Sequence, residues 1–195
     1  YFKEMLLKLN PSYLTENILV CSHPRLSKRS SDFCLSTNTI LFIEETYFDH
    51  KRAMSFMKKL DNNYSIIYRR KPGTEEQKNI DLDKVIYSSS ESFEEDLNQF
   101  KPSVLVGSES TLLLESWLFN VPSIGIKTNN DYGDHLLNDG LIDFCYDPED
   151  FVKKLKEIIL MPKDKIIQHR DLIWSGSKTP KSYNKALETI NFYEH

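Results

Sequence analysis

The sequence has few cysteines, no excess of positive charge and no long apolar run. Its three cysteines, Cys21, Cys34 and Cys145, are odd in number and widely spaced, which argues against a disulfide framework and indicates reduced cytosolic thiols. The formal net charge of −4 argues against a general nucleic-acid binder, because no overall positive field attracts phosphates. The sequence also predicts no transmembrane segment, since no run reaches the ~18 apolar residues that a spanning helix needs.

Metal-ligand spacing is absent as well. Five histidines are scattered along the chain, at His23, His50, His135, His169 and His195. We therefore expect no metal site and no cofactor. What is present is an ordinary globular composition, with 39% apolar and 28% charged residues, and 195 residues suffice for one large domain with its own core.

Short apolar runs alternate with helical patterns along the chain. The predicted strands are 17–21, 39–43, 64–68, 85–88, 103–106, 123–126 and 141–146. Apart from the helix that follows Thr111, the predicted helices are 49–60, 92–100, 135–138, 148–160 and 181–193. This order predicts an α/β fold, a doubly wound parallel sheet of the Rossmann-like kind with helices on both faces. We divide the chain into a lead-in or interdomain segment (1–20), the Rossmann-like domain (21–162) and C-terminal helices (163–195).

The most informative segment is Pro102–Ile126, with the sequence PSVLVGSESTLLLESWLFNVPSIGI. A buried strand ends at a turn that carries Ser108, Ser110 and Thr111, and an apolar helix follows. A helix start presents unpaired N–H groups and the positive end of the helix dipole. The segment therefore predicts an anion site, of the kind that holds the phosphates of a nucleotide.

Simple helix capping is the alternative for this turn, because Ser and Thr are ordinary N-cap residues. Glu115 favours the ligand interpretation. It lies in a helix that is apolar on nearly every side, where a carboxylate is costly unless it is paired or faces a cleft. The two vicinal hydroxyls of a ribose would suit it as a partner.

Three stretches, residues 18–31, 66–76 and 104–126, together resemble the C-terminal, nucleotide-sugar-binding half of a GT-B glycosyltransferase. The resemblance is to bacterial enzymes of capsule, lipooligosaccharide and teichoic-acid synthesis, and it covers residues 17–160. The third stretch carries it best, with a hydroxyl-rich turn, a helix, a glutamate and a proline seven residues after it. The first stretch has an apolar run before a Pro-Arg turn, and the second corresponds to the family's arginine followed by His-Pro.

The resemblance implies a role for each matching residue. Ser108, Ser110 and Thr111 would hold the donor phosphate, and Glu115 would accept hydrogen bonds from the ribose hydroxyls. The donor itself would be a nucleotide-sugar, used as a substrate and without a metal.

Arg69 or Lys71 would neutralise phosphate charge as the nucleotide leaves. Lys71 departs from the family pattern, in which sialyltransferase-like members have a histidine at this place. The departure argues against a CMP-sugar donor, because lysine binds phosphate as a point charge without acid–base capability near neutral pH.

Four further residues are candidates for facing the sugar or the acceptor. Glu44 and Glu45 end a strand, although we favour the interpretation that they are solvated. Asp134 and His135 lie in the loop where the sugar would sit, but helix capping explains Asp134 equally well.

The resemblance also implies partners. An acceptor saccharide or glycolipid and the usual catalytic base belong to an N-terminal domain that this chain is too short to include, so catalytic residues are not assigned. We expect nucleotide binding without transfer activity, in a cytoplasmic protein or one peripheral to the inner face of the plasma membrane. The last pattern, Lys181–Tyr193, either crosses to the missing domain or packs on its own.

Three other functions remain open. A sugar-nucleotide 2-epimerase shares the fold, but its turn is normally Ser-Gly-Gly, whereas this chain has bulkier side chains there. A non-catalytic nucleotide-binding or interaction module would keep the fold without chemistry. A receiver-type regulator is disfavoured, because no acidic phosphoacceptor with a matching lysine is evident.

Overall fold

The computed structural model describes residues 7, 10–12, 38–44, 50–71, 82, 84–127 and 140–173. The strand predicted at 17–21 and the helices predicted at 135–138 and 181–193 lie outside these residues. Within the described ranges, no helix is long and apolar enough to cross a membrane.

Six parallel strands form one sheet. They are β1 (Thr39–Ile43), β2 (Ser65–Arg69), β3 (Val85–Tyr87), β4 (Val104–Gly107), β5 (Ser123–Ile126) and β6 (Asp143–Cys145). Their order is β3-β2-β1-β4-β5-β6, and every neighbouring pair is parallel. This is the doubly wound, Rossmann-like arrangement, so the predicted fold class is confirmed.

The connections between the strands are helical. The helices are α1 (His50–Lys58), α2 (Phe93–Phe100), α3 (Leu112–Glu115), α4 (Pro148–Ile159) and α5 (Lys163–Ile173). A 3-10 segment, Ser116–Phe119, continues α3 directly. Two of the helices begin at capping residues: the Ser92 hydroxyl accepts the Glu95 N–H at 3.2 Å, and Pro148 occupies the first turn of α4 after the Asp147 cap.

The core lies on both faces of the sheet, because successive strand side chains point to opposite sides. On one face Leu41 packs with α2, α3, the 3-10 segment and α5. On the other face Phe42 packs with α1 and α4, and its ring lies 6.2 Å from that of Phe151. Strands that are buried on both faces are nearly continuous apolar runs, which is why the sequence pattern located them.

Several predicted bounds differ from the structure. Gly107, which we expected to end its strand, belongs to β4 and pairs with Gly125 of β5. The strand predicted at 141–146 is shorter, since only Asp143–Cys145 pairs with β5. The helix after Ser110 has a single α turn before it tightens into the 3-10 segment.

The first helix of the predicted C-terminal segment packs on the sheet domain. Within α5, Ile166 and Ile173 are buried in the core beside α3. The His169 ring lies 4.2 Å from the Trp117 ring, and Arg170 donates to the Asn120 side-chain carbonyl at 2.9 Å. Helix α5 therefore covers the segment that follows Glu115.

Candidate functional site

The candidate site lies at the carboxyl edge of the sheet, between β1 and β4. The strand order reverses there, since β2 and β3 extend to one side of β1 while β5 and β6 extend beyond β4. Crevices at such a switch point are where open α/β sheets bind ligands. The residues that leave β4 at this point are those of the predicted anion-binding turn.

The turn after β4 combines buried and accessible hydroxyls. Ser108 is buried at 4% exposure, Ser110 is partly buried and Thr111 is exposed. The Ser110 hydroxyl accepts the N–H of Leu112 at 3.2 Å, so this serine does cap the start of α3. The capping interpretation is therefore correct for Ser110.

Glu115 lies one helical turn beyond the turn residues and is partly buried. Its main-chain N–H bonds to the Thr111 carbonyl at 2.9 Å. The Thr111 hydroxyl lies 3.4 Å from Oε1 of the Glu115 carboxylate. The hydroxyl of the turn and the carboxylate are thus brought to the same side of α3.

A buried hydrogen-bond cluster fixes α3 against β5. The Leu113 carbonyl accepts the hydroxyls of Ser116 at 3.1 Å and of Ser123 at 2.6 Å. The Trp117 indole N–H donates to the Ser123 hydroxyl at 2.9 Å. These bonds satisfy the polar groups where the α turn tightens to 3-10, and they hold the turn that carries Glu115 in one position.

Arg69, predicted to bind phosphate, is buried and bound to other residues of the protein. It is 9% exposed and ion-paired to Asp96 of α2, whose carboxylate is fully buried. It also donates to the main-chain carbonyls of Ser90 at 3.3 Å, Glu91 at 3.4 Å and Ser92 at 3.2 Å. Its guanidinium is surrounded by acceptors of the protein itself.

The other two basic residues at the end of β2 take different directions. Arg70 stacks over the ring of Tyr87 on β3, with the guanidinium carbon 4.3 Å from the ring centroid. Lys71 is exposed, and its main-chain N–H donates to the Glu44 carboxylate at 3.0 Å. Arg69, Arg70 and Lys71 therefore do not form one basic cluster, and Lys71 is the exposed residue of the three.

Glu44 is not a solvated residue at a strand end, so the interpretation we favoured from the sequence is wrong. Its side chain is 4% exposed, and its carboxylate lies 3.2 Å from His50 Nε2 at the start of α1. Together with the bond to Lys71 N–H, this contact ties the ends of β1 and β2 to α1. A buried carboxylate of this kind needs such partners.

Sequence reasoning missed two acidic residues of the region. Glu109 lies inside the turn, partly buried between Ser108 and Ser110. Asp96 belongs to the acidic first turn of α2, where a solvated side chain is the ordinary expectation. Its position is nevertheless informative, because Asp96 follows Phe93 by three residues and precedes Phe100 by four, on the apolar side of the helix.

Several predicted residues cannot be placed, since Glu45, Asp134 and His135 lie outside the described ranges. The structure brings together the turn Ser108–Thr111 and Glu115, and separately Glu44 and Lys71. Among the residues it describes, no group of three or more His, Cys, Asp or Glu side chains could hold a metal ion.

No protein-family model matches the sequence, and no curated protein matches it. A solved structure, that of the "lipopolysaccharide outer core galactosyltransferase WaaB apo form", is similar in fold, with a TM-score of 0.51 and 13% sequence identity. The alignment covers 96% of this chain and 59% of that chain, so this protein spans less than two thirds of the length of its structural neighbour. At this identity the likeness establishes the fold.

Proposed function

We propose that this chain is the donor-binding half of a GT-B glycosyltransferase, which moves a sugar from a nucleotide-sugar to a surface-polysaccharide or lipooligosaccharide acceptor. The observation that carries the proposal is the hydroxyl-rich turn Ser108–Thr111 at the switch point, with Glu115 one helical turn beyond it. The structural neighbour is a galactosyltransferase of the lipopolysaccharide outer core, which supports the same class of reaction.

In the proposed donor site, one kind of group would bind the phosphates of the nucleotide and another would bind its ribose. Main-chain N–H groups of the turn and the hydroxyls of Ser108 and Thr111 would bind the phosphates, because hydrogen bonds to a charged oxygen are the stronger ones. The Glu115 carboxylate would accept the hydroxyls of the ribose. Its partly buried position and its distance of one turn from Thr111 suit a sugar that adjoins the phosphates.

Lys71 is the cation that we assign to the phosphates. It is exposed, and Glu44 fixes its main chain at the end of β2, the second strand from β4. In sugar transfer the leaving nucleotide gains negative charge, and a lysine with the N–H groups of a turn stabilises that charge electrostatically. This assignment uses no proton transfer by Lys71.

We place the acceptor site and the catalytic base on a second domain, so the chain alone would bind a donor without transferring its sugar. The alignment with 59% of the structural neighbour agrees with a protein that has further parts. Binding of the nucleotide is therefore the property to measure on this chain.

The test is a thermal-shift titration of the chain with UDP, CDP, GDP and CMP. One nucleotide is expected to raise the melting temperature, since a ligand stabilises the folded state to which it binds. In Glu115→Ala the rise should be lost. The matched control is Glu157→Ala, because Glu157 is an exposed glutamate of α4 on the opposite face of the sheet.

Two results would contradict the proposal. One is the absence of a shift with every nucleotide at millimolar concentration. The other is a shift that Glu115→Ala retains in full, which would place the nucleotide elsewhere. If a nucleotide raises the melting temperature, the titration is repeated with the corresponding nucleotide-sugar. A shift with the nucleotide and none with the nucleotide-sugar would favour the non-catalytic nucleotide-binding module over the transferase.

A further inference from the structure

Arg69 makes a set of contacts that a phosphate ligand would not need. Its guanidinium faces the buried Asp96 carboxylate, and the second oxygen of that carboxylate accepts the hydroxyl of Ser88. The same guanidinium donates to three consecutive main-chain carbonyls, those of residues 90–92. Arg69 therefore holds the end of the connection that precedes α2 directly, and its partner Asp96 holds the end at Ser88.

The connection, residues 88–92, depends on these bonds for its position. Ser90 N–H donates to the Ser88 hydroxyl at 3.1 Å, and the Ser92 hydroxyl accepts Glu95 N–H at 3.2 Å. No apolar side chain belongs to this segment, whose sequence is SSSES. A segment without apolar burial is held by hydrogen bonds, and here four of the described ones are made with the side chains of Arg69 and Asp96.

The segment also stands at the ligand edge of the sheet. It follows β3, whose carboxyl end is on the same side as those of β1, β2 and β4, because all the strands are parallel. Ser88 N–H bonds to the Tyr68 carbonyl at 2.9 Å, which continues the ladder between β2 and β3 up to the segment. Residues 88–92 therefore lie at the same edge of the sheet as the turn Ser108–Thr111, on the side of β2 and β3.

We infer that Arg69 is a positioning residue, which shapes the nucleotide crevice by holding residues 88–92, and that it does not bind the donor phosphate. The inference rests on the proposed function for the nature of the ligand. Arg69 and Lys71 were equivalent candidates for binding phosphate in the sequence, and the inference assigns this role to Lys71 alone. It also gives Asp96 an essential role in the site.

The two roles of Arg69 predict different patterns of binding. A residue that binds phosphate contributes to the affinity for a nucleoside diphosphate and not to that for the nucleoside. A residue that positions a wall of the crevice contributes to both equally. Removal of the Asp96 charge also distinguishes the two roles. If Arg69 bound phosphate, it would be freed to bind the nucleotide more strongly. If Arg69 positions the segment, it would lose its anchor and binding would weaken.

The experiment measures dissociation constants of UDP, CDP and GDP and of uridine, cytidine and guanosine for the 195-residue chain by calorimetry. In Arg69→Lys and Asp96→Asn, the nucleotide that binds the wild type and its nucleoside should both weaken by about tenfold, as expected for lost hydrogen bonds to a charged group. In Lys71→Gln only the nucleoside diphosphate should weaken.

Breaking a buried ion pair can unfold a protein, so a second variant is required. Arg69→Met combined with Asp96→Leu replaces the pair by apolar side chains, which proteins often tolerate without loss of stability. This variant should keep a wild-type melting temperature and still lose affinity for nucleotide and nucleoside alike. Hydrogen exchange at the amides of residues 90–92 should be faster than in the wild type, while the amides of β1 stay protected.

The inference is overturned if Arg69→Lys weakens only the diphosphate, or if Asp96→Asn leaves binding unchanged or strengthens it. Unchanged exchange at residues 90–92 in the Arg69→Met, Asp96→Leu variant would equally overturn it. If the wild type binds no nucleotide, the proposed function fails, and the exchange measurement still decides whether Arg69 positions the segment.

Discussion

The indole N–H of Trp117 donates to the hydroxyl of Ser123 at 2.9 Å, and both side chains are buried. The Ser123 hydroxyl in turn donates to the Leu113 carbonyl at 2.6 Å. One serine of β5 therefore satisfies a donor and an acceptor of the helical segment that carries Glu115. The rigid support of the candidate ribose-binding carboxylate depends on this contact.

Ser123→Ala should lower the free energy of unfolding by about 1–3 kcal/mol, because it leaves the indole N–H buried without its acceptor. Chemical denaturation followed by circular dichroism measures the change. Ser89→Ala is the control, since Ser89 is exposed and its removal should cost less than about 0.5 kcal/mol. Equal costs for the two variants would show that the Trp117 contact contributes nothing to stability.

Gly125→Ala should destabilise the protein by about 1–3 kcal/mol through overpacking. A Cβ at this position would lie 2.4 Å from Cδ1 of Phe144 on the neighbouring strand β6. Combination with Phe144→Leu should recover part of the loss, because residues in contact are coupled energetically. The melting temperatures of the two single variants and of the double variant test this. Strict additivity would contradict the steric explanation.

Cys145 should react slowly with iodoacetamide in the folded protein. Burial raises the pKa of its thiol from 9.0 to about 11, and the cation of Lys154 opposes the shift only in part. At pH 8 the thiolate, which is the reactive form, is then reduced by about a hundredfold relative to an unshifted thiol.

Alkylation of the peptide that contains Cys145, followed by mass spectrometry with and without denaturant, provides the measurement of this reaction. Equal rates in the folded and denatured chains would contradict the burial of this thiol.

The raised pKa of Cys145 also makes the stability of the fold depend on pH. Because the folded state has the higher pKa, the stability that the thiol contributes is complete below pH 9 and declines as the pH rises through 11.

Glu109→Gln should strengthen the binding of a nucleoside diphosphate several-fold. Glu109 places a negative charge within the turn that is proposed to bind phosphate, and the two negative charges would repel each other. The gain should shrink as salt is added, whereas the affinity for the nucleoside should not change. Calorimetry at two salt concentrations tests this, and an unchanged or weaker affinity for the diphosphate would place the phosphates away from the turn.

Much of the fold could be predicted because buried parallel strands produce short apolar runs. The strands Thr39–Ile43 and Ser123–Ile126 have the predicted bounds, and Val85–Tyr87 ends one residue earlier than predicted. The strand Asp143–Cys145 was less predictable, since its flanking residues Leu141 and Ile142 are buried without belonging to the strand. In the centre of the sheet the buried apolar residues are also the ones that pair with neighbouring strands. At its edge some buried apolar residues, such as Leu141 and Ile142, do not pair.

The contacts of the charged residues could not be predicted in the same way. Arg69 and Arg70 are neighbours in the sequence, but the two-residue period of a strand sends them to opposite faces, one to Asp96 and the other to Tyr87. Similarly, Glu44 ends a strand yet is buried against His50. Local sequence identifies such side chains as charged, while tertiary packing decides what they contact.

The most direct test of the proposed donor site is amide chemical-shift mapping of the isotope-labelled chain during titration with UDP, CDP, GDP and CMP. We predict that one nucleotide produces its largest shifts at the amides of Ser108–Leu112, with further shifts at Lys71 and in residues 88–92. Shifts of this pattern would place the donor at the switch point between β1 and β4. Largest shifts at another surface, or none with any nucleotide, would contradict the assignment of the donor site.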